Sequence, residues 1–141
     1  MKLANLMLSV SALAVMLVPA KAAGGPQYNP ATAVAVSGTV AAVRVVPAGQ
    51  PLAGVHVMLK TRTNTVEVYL APRDFMNFLR TSIAAGDEID VTGSRVKSGN
   101  SELILAREVS DETETIELRN LYGAPVWENW GVEADPATIH E

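Results

Sequence analysis

Residues 55–79 read VHVMLKTRTNTVEVYLAPRDFMNFL, and this stretch decides the predicted fold. In residues 55–60, Val and Leu alternate with His, Met and Lys. Residues 66–70 repeat the alternation with Glu and Tyr between the apolar positions, after a turn at Thr63 and Asn64. A period of two is typical of half-buried strands, so we expect an antiparallel hairpin here.

The apolar spacing changes at Phe75. Phe75, Phe78 and Leu79 fall at i, i+3 and i+4, which predicts a helix that begins near Asp74 and runs through Ile83. Asp74 suits the N-cap or the first turn, where a carboxylate meets free backbone amides. Glycine is favoured just after a helix, so we expect residues 84–87, which include Gly86, to end it.

Period-two patterns on either side predict four more strands. They lie at about residues 35–46, 89–96, 103–107 and 115–118. Gly38 interrupts the first of them, which indicates a bulge or a tight bend. Residues 47–54 and 97–101 are rich in Gly, Pro, Ser or Asn and are expected to be loops.

This order of elements resembles the oligonucleotide/oligosaccharide-binding (OB) fold. The resemblance rests on the helix between the third and fourth strands, on the bend at Gly38 and on the GDEIDVTG segment at 86–93. The run from Val91 to Trp127 also resembles OB-fold-like small secreted bacterial proteins of uncharacterised function. We therefore expect a mostly β fold: a small OB-like Greek-key barrel of five strands plus an extra strand, with one helix between strands 3 and 4.

The N-terminus is typical of a secretory signal peptide. Lys2 precedes an apolar run from Leu3 to Val18, and Ala20-Lys21-Ala22 supplies the small-x-small cleavage pattern. The run is shorter than the roughly 20 residues that a membrane helix needs. We expect the chain to be periplasmic or secreted, with no membrane span after cleavage. We expect four segments along the chain: the signal peptide at 1–23, an irregular lead-in at 24–34, the barrel domain at 35–119, and a tail at 120–141 that packs on or near the barrel.

The net charge, the aromatic content and the lack of Cys narrow the range of possible functions further. The formal charge of −4 becomes −6 once Lys2 and Lys21 leave with the signal peptide, and aromatic residues make up only 5%. Binding of single-stranded nucleic acid depends on cationic grooves with stacking aromatics, so the sequence argues against it. The chain has no Cys, which removes disulfides and thiolate metal sites.

The usual signatures of catalysis are missing from the sequence. It contains two His residues, His56 and the penultimate His140, and neither a Gly-x-Ser-x-Gly motif nor a phosphate-binding glycine loop. Clustered acids at 87–90 and 111–114 are typical of solvated loops. We therefore expect a non-enzyme that needs no cofactor.

The candidate binding residues lie on one side of the predicted hairpin. His56, Met58 and Lys60 share a face because side chains repeat every two residues, and Glu67 and Tyr69 are expected beside them. OB folds commonly bind ligands on this face. Our leading hypothesis is an exported, non-catalytic module that binds a protein or small ligand here. The alternative is that the face has a structural role and is covered by the lead-in or the tail.

Two other hypotheses use overlapping residues. An imidazole and a thioether suit Cu(I), so His56 and Met58 suggest a periplasmic copper-handling accessory. Periplasmic copper chaperones with small OB-like barrels carry a Trp-x-x-Met-x-Met run, which this sequence lacks. Alternatively, the aromatics Tyr122, Trp127 and Trp130 would dock a structural envelope component onto a larger assembly, or fold back onto the barrel.

Overall fold

Strands dominate the part of the chain that the computed structural model describes, residues 25–129. The predicted signal peptide at 1–23, Gly24, Trp130 and the rest of the tail lie outside it. The strands are β1 Ala33–Val46, β2 Gly54–Lys60, β3 Thr65–Ala71, β4 Glu88–Ser98, β5 Ser101–Ser110 and β6 Thr115–Glu117, with the helix α1 at Arg73–Phe78 and 3₁₀ turns at Pro30–Thr32 and Val126–Asn129. The prediction of a mostly β fold is confirmed.

The strands pair in the order β3-β2-β1-β4-β5-β6. These neighbours are antiparallel. A further, parallel pairing joins β3 to β5, with Glu67 opposite Leu103 and Tyr69 opposite Leu105. The path of hydrogen-bonded strands therefore returns from β5 to β3, and β6 extends it at β5.

The side chains that point inward form the main core. It combines the apolar positions of β2, β3, β4 and β5 with Phe75 and Met76 of α1. A second cluster, made of Tyr69, Leu103 and Leu105, lies against Tyr28, Leu52, Val96 and Trp127. Both faces of β3 and β5 are thus covered, which matches the apolar residues found at consecutive positions of β5.

Strand β1 is shared between two partners. Its first half pairs with β4 over residues 33–39, and its second half pairs with β2 over residues 39–46. The register shifts between Val40 and Ala42, two residues beyond the bend expected at Gly38. Gly38 instead permits a close approach, since an added Cβ would lie 2.4 Å from the Lys60 carbonyl oxygen.

The helix lies between β3 and β4 as predicted, but it is shorter than expected. It covers Arg73–Phe78, with Asp74 in the first turn. Arg80 adopts a positive φ of 55°, which stops the helical repeat well before Ile83. The prediction that Gly86 caps the helix is wrong: its amide donates to the Val40 carbonyl at 2.8 Å and so ties the connection to β1.

The chain turns back after β6. Leu118 is buried in the main core, and an isolated bridge joins Arg119 to Pro125. The 3₁₀ turn at Val126–Asn129 then places Trp127, which is partly buried, against both the main core and the second cluster. Across the described range, every helix is too short or too polar to traverse a bilayer.

Candidate functional site

The five predicted binding residues lie on one side of the β2–β3 hairpin. The register places His56 opposite Tyr69 and Met58 opposite Glu67, while Lys60 faces Thr65. We call the surface formed by His56, Met58, Lys60, Glu67 and Tyr69 the hairpin face. It divides into a covered end at His56 and Tyr69 and an open end at Met58 and Lys60.

His56 is buried, with only 3% of its surface exposed. Its Nε2 lies 2.7 Å from the Leu52 carbonyl oxygen and its Nδ1 lies 3.1 Å from Oε1 of Glu67. The ring is thus held at both nitrogens, by the loop carbonyl on one side and by a carboxylate of β3 on the other. The imidazole is therefore a clamp that holds the β1–β2 loop, residues 47–53, against the hairpin.

Glu67 links three strands. Its Oε1 accepts from His56 on β2 and also from the guanidinium of Arg44 on β1. The side chain of Arg44 is 60% exposed, whereas that of Glu67 is 20% exposed. Because Arg44 is also the register partner of His56, the three side chains form a continuous polar row across β1, β2 and β3.

Tyr69 closes the covered end. Its hydroxyl donates to the Ala53 carbonyl at 3.0 Å, which gives the β1–β2 loop a second anchor. Its ring centroid lies 5.0 Å from that of His56 and 6.3 Å from that of Trp127, edge-on to the indole. Burial raises the pKa of Tyr69, and the positive charge of Arg119 partly opposes that rise.

Arg119 is a buried cation that the sequence analysis did not single out. Its Nη1 donates to the Ala106 carbonyl at 2.6 Å. Its guanidinium carbon lies 4.7 Å from the centroid of Trp127 and 5.5 Å from that of Tyr69. Burial lowers the pKa of Arg119. The signal in the sequence is an Arg between Leu118 and Leu121, a context that favours burial of its stem.

The tail aromatics have different surroundings. Trp127 also contacts Phe75, with ring centroids 5.8 Å apart, and so closes over the core. Tyr122 is 83% exposed. Trp130 lies outside the described residues. The candidates that the sequence grouped as one interface therefore separate into a packed indole and an exposed phenol.

The copper hypothesis meets a geometric obstacle at His56. Both ring nitrogens are engaged by Leu52 and Glu67, so a metal ion would have to displace one of these bonds. Met58 lies opposite Glu67 and is half-buried. Within residues 25–129, no three His, Asp or Glu side chains are grouped as metal ligands.

The predicted acidic loops line a separate surface cleft of about 990 Å³, which includes Asp87, Glu88, Asp90, Asp111 and Glu112. Two of these carboxylates accept hydrogen bonds from nearby backbone amides. Asp87 accepts from the amide of Ala84, and Asp111 accepts from the amides of Thr113 and Glu114. These bonds lower the pKa of Asp111. Asp87 and Asp111 are therefore turn-forming residues in this structure.

A family model described as the MamS/MamX magnetosome protein family matches residues 32–116. The match extends from the start of β1 into β6 and contains the whole hairpin face, but not Arg119 or Trp127. No curated protein matches the sequence.

Proposed function

The chain belongs to the MamS/MamX magnetosome protein family, and on that premise we propose that it is a non-catalytic accessory protein of the magnetosome, which acts by binding a partner. The family match is the observation that carries this proposal. The backbone amide bonds to Asp87 and Asp111, and the two bonds that occupy His56, support a structural use of these titratable groups rather than a catalytic one.

The proposed architecture is an OB-like Greek-key barrel. The return of the strand pairings from β5 to β3 supports closure, and the position of α1 between β3 and β4 supports the OB-like order. The proposed location is outside the cytoplasm, in the periplasm or beyond, and is supported by the signal-peptide pattern at residues 1–23.

The open end of the hairpin face is the proposed contact surface. Lys60 is exposed and Met58 is half-buried beside it, whereas Arg44 on the neighbouring strand is paired with Glu67. The row of Arg44, Glu67 and His56 fixes the backbone beneath these side chains. A thioether beside an exposed ammonium group suits a partner that combines an apolar contact with a carboxylate.

The test replaces the chromosomal copy in the native host with a Met58→Ser, Lys60→Glu double variant. We expect retention of the protein on isolated magnetosomes to fall several-fold, because the apolar contact is lost and the charge is reversed. Lys97→Glu on β4 makes the same charge change at another exposed position and should leave retention unchanged.

Thermal unfolding of the purified variants checks that each is folded. Equal retention of the double variant and the wild type would rule out the open end as the contact surface. Absence of the wild-type protein from magnetosomes would rule out the accessory role itself.

The copper hypothesis has a test of its own. Copper handling predicts Cu(I) binding that is lost in both His56→Gln and Met58→Ser, and wild-type protein that binds no Cu(I) contradicts it. Docking through tail aromatics is favoured by the exposure of Tyr122.

A further inference from the structure

A tight turn after β6 presents large apolar side chains to solvent. Leu121 is 71% exposed and Tyr122 is 83% exposed, and Val126 at its base is 40% exposed. We call residues 119–126 the apolar turn. Adjoining apolar side chains that are exposed in this way form a patch of the kind that contact sites use.

The backbone of the apolar turn is held by its own hydrogen bonds. Oδ1 of Asn120 accepts from the amides of Tyr122 and Ala124 at 2.9 and 3.0 Å. The Asn120 amide donates to the Ala124 carbonyl at 3.0 Å, and the Gly123 amide donates to the Asn120 carbonyl at 2.9 Å. The turn is thus ordered before any partner arrives, which reduces the entropy lost on binding.

The apolar turn is also anchored to the body of the protein. Arg119 pairs with Pro125, and the Val126 amide donates to the Leu118 carbonyl at 3.1 Å. Arg119 is fixed in turn by the Ala106 carbonyl and by the ring of Trp127. Leu121 and Tyr122 therefore project from a rigid base rather than from a free tail.

Acidic residues flank the apolar turn. Glu117 lies directly opposite Glu108 in the β5–β6 register, and Glu128 follows Trp127 on the other side. Among the described residues Glu117 and Glu128 make no ion pair, and the Arg107–Glu108 contact is long at 3.8 Å. Two carboxylates in a cross-strand pair repel each other. This arrangement disfavours the anionic surface of a membrane and favours a partner that brings cations.

We propose that the apolar turn is a docking element that inserts Leu121 and Tyr122 into an apolar pocket, rimmed by Lys or Arg, on a partner protein. The proposal deepens the docking hypothesis above. Its test uses neither Met58 nor Lys60, so its failure is distinguishable from failure of the hairpin face.

The experiment starts with full-length protein in the native host. Tyr122 is replaced by the photo-reactive p-benzoylphenylalanine, and Val45, a 46% exposed residue of β1, is replaced in the same way as the control. The protein crosslinked at position 122 is identified and purified. The affinity of this partner is then measured for the wild type, for the double variant Leu121→Ser, Tyr122→Ser, and for Glu117→Lys. The matched apolar control is the double variant Val43→Thr, Val45→Thr on β1.

We expect one adduct that is specific to position 122. The double variant at the apolar turn should weaken binding of that partner by about tenfold or more. Glu117→Lys should weaken it by about threefold and flatten its dependence on salt, since a favourable charge contact is reversed. The control pair on β1 should bind within about twofold of the wild type.

Each of four results would overturn the proposal. The first is that position 122 gives no adduct beyond that seen at position 45, and the second is that the double variant binds the partner as tightly as the wild type. The third is that the wild type binds phosphatidylglycerol-containing vesicles and the double variant does not. The fourth is that the wild type sediments as a dimer that the double variant dissociates. The last two would assign the apolar turn to a lipid surface or to a second copy of this chain.

Discussion

At the scale of single residues, the covered end of the hairpin face is a polar network enclosed by rings. Arg119 has no carboxylate partner within residues 25–129; it is held by one carbonyl and by the faces of Trp127 and Tyr69. Removing a cation from water is costly, and contact with aromatic faces offsets part of that cost. Tyr69 contributes both its ring and its hydroxyl to this network.

The hydroxyl of Tyr69 predicts a pH-dependent contribution to stability. Tyr69→Phe removes the bond to Ala53 and should lower the free energy of unfolding by about 1 kcal/mol at neutral pH. Burial holds the pKa of Tyr69 above its ordinary value of 10.0. The unfolded chain therefore loses this proton first, and the stability that the hydroxyl contributes is present below pH 10.0 and lost as the pH rises further.

Urea unfolding of the wild type and Tyr69→Phe across the alkaline range measures this difference. The gap between the two proteins should narrow above pH 10.0. Tyr122→Phe, at an 83% exposed position, is the control and should match the wild type at neutral pH. A gap that widens with pH would contradict the assignment.

Features of the hairpin face that depend on nearby residues in the sequence were predictable, and those that depend on distant segments were not. The period-two pattern is local, and it placed His56 and Tyr69 on one face of neighbouring strands. Cover by the lead-in or the tail was one of two open alternatives, and the residues that provide the cover, Leu52 in a loop and Trp127 near the end of the described chain, could not be identified. Periodicity carries no information about which distant segment covers a face.

At the scale of elements, the strands were more predictable than the helix. Alternation of apolar residues located all six strands, since that pattern follows from which face is buried. The helical spacing of Phe75, Phe78 and Leu79 located α1, but Phe78 is 60% exposed, and Leu79 packs on the core from just beyond the end of the helix. Ile83 packs on the core from the irregular connection that follows. Burial of alternate side chains in a non-helical segment produced the same spacing as another helical turn.

The close approach of β1 to β2 at Gly38 predicts a strongly destabilising substitution. Gly38→Ala would place its Cβ 2.4 Å from the Lys60 carbonyl oxygen, so one strand must move. We expect the free energy of unfolding to fall by more than about 2 kcal/mol, as measured by chemical denaturation.

The matched control is Gly99→Asn in the β4–β5 turn, where nothing lies within 4 Å of an added Cβ and φ is 61°. Asn tolerates that conformation, so its cost should stay below about 1 kcal/mol. Equal losses in the two variants would show that close approach does not decide the effect at Gly38.

The facing carboxylates of β5 and β6 predict a stabilising substitution. Glu117→Lys converts the repulsive pair with Glu108 into an attractive one and should raise the free energy of unfolding by about 0.5 kcal/mol. Thermal unfolding at low and high salt measures the gain, which salt should reduce. Glu128→Lys makes the same charge change without a cross-strand partner. A comparable gain there would mean that net charge, rather than the pair, is responsible.

At the scale of the whole molecule, Trp127 joins the two clusters of buried side chains. Its indole packs against the main core through Phe75 and against the second cluster through Tyr69. A residue from the end of the described chain therefore packs on β3 and α1, which come from its middle. The segment after β6 is part of the packed structure up to this point.

Trp127→Ala should accordingly lower the free energy of unfolding by about 3 kcal/mol, because it opens a cavity between the two clusters. Urea unfolding followed by far-UV circular dichroism measures the loss. Tyr122→Ala removes a comparably large aromatic at an exposed position and should change stability by less than about 0.5 kcal/mol. Similar values for the two variants would contradict the packing role of the indole.

The parallel pairing of β3 with β5 has a kinetic consequence. Glu67 and Leu103 meet although they are about 36 residues apart in the chain, and α1 and β4 must both be accommodated between them. The entropy of bringing such distant segments together is lost before their contacts form. We therefore expect refolding on the millisecond-to-second timescale of β-rich domains, with the union of β3 and β5 among its last events.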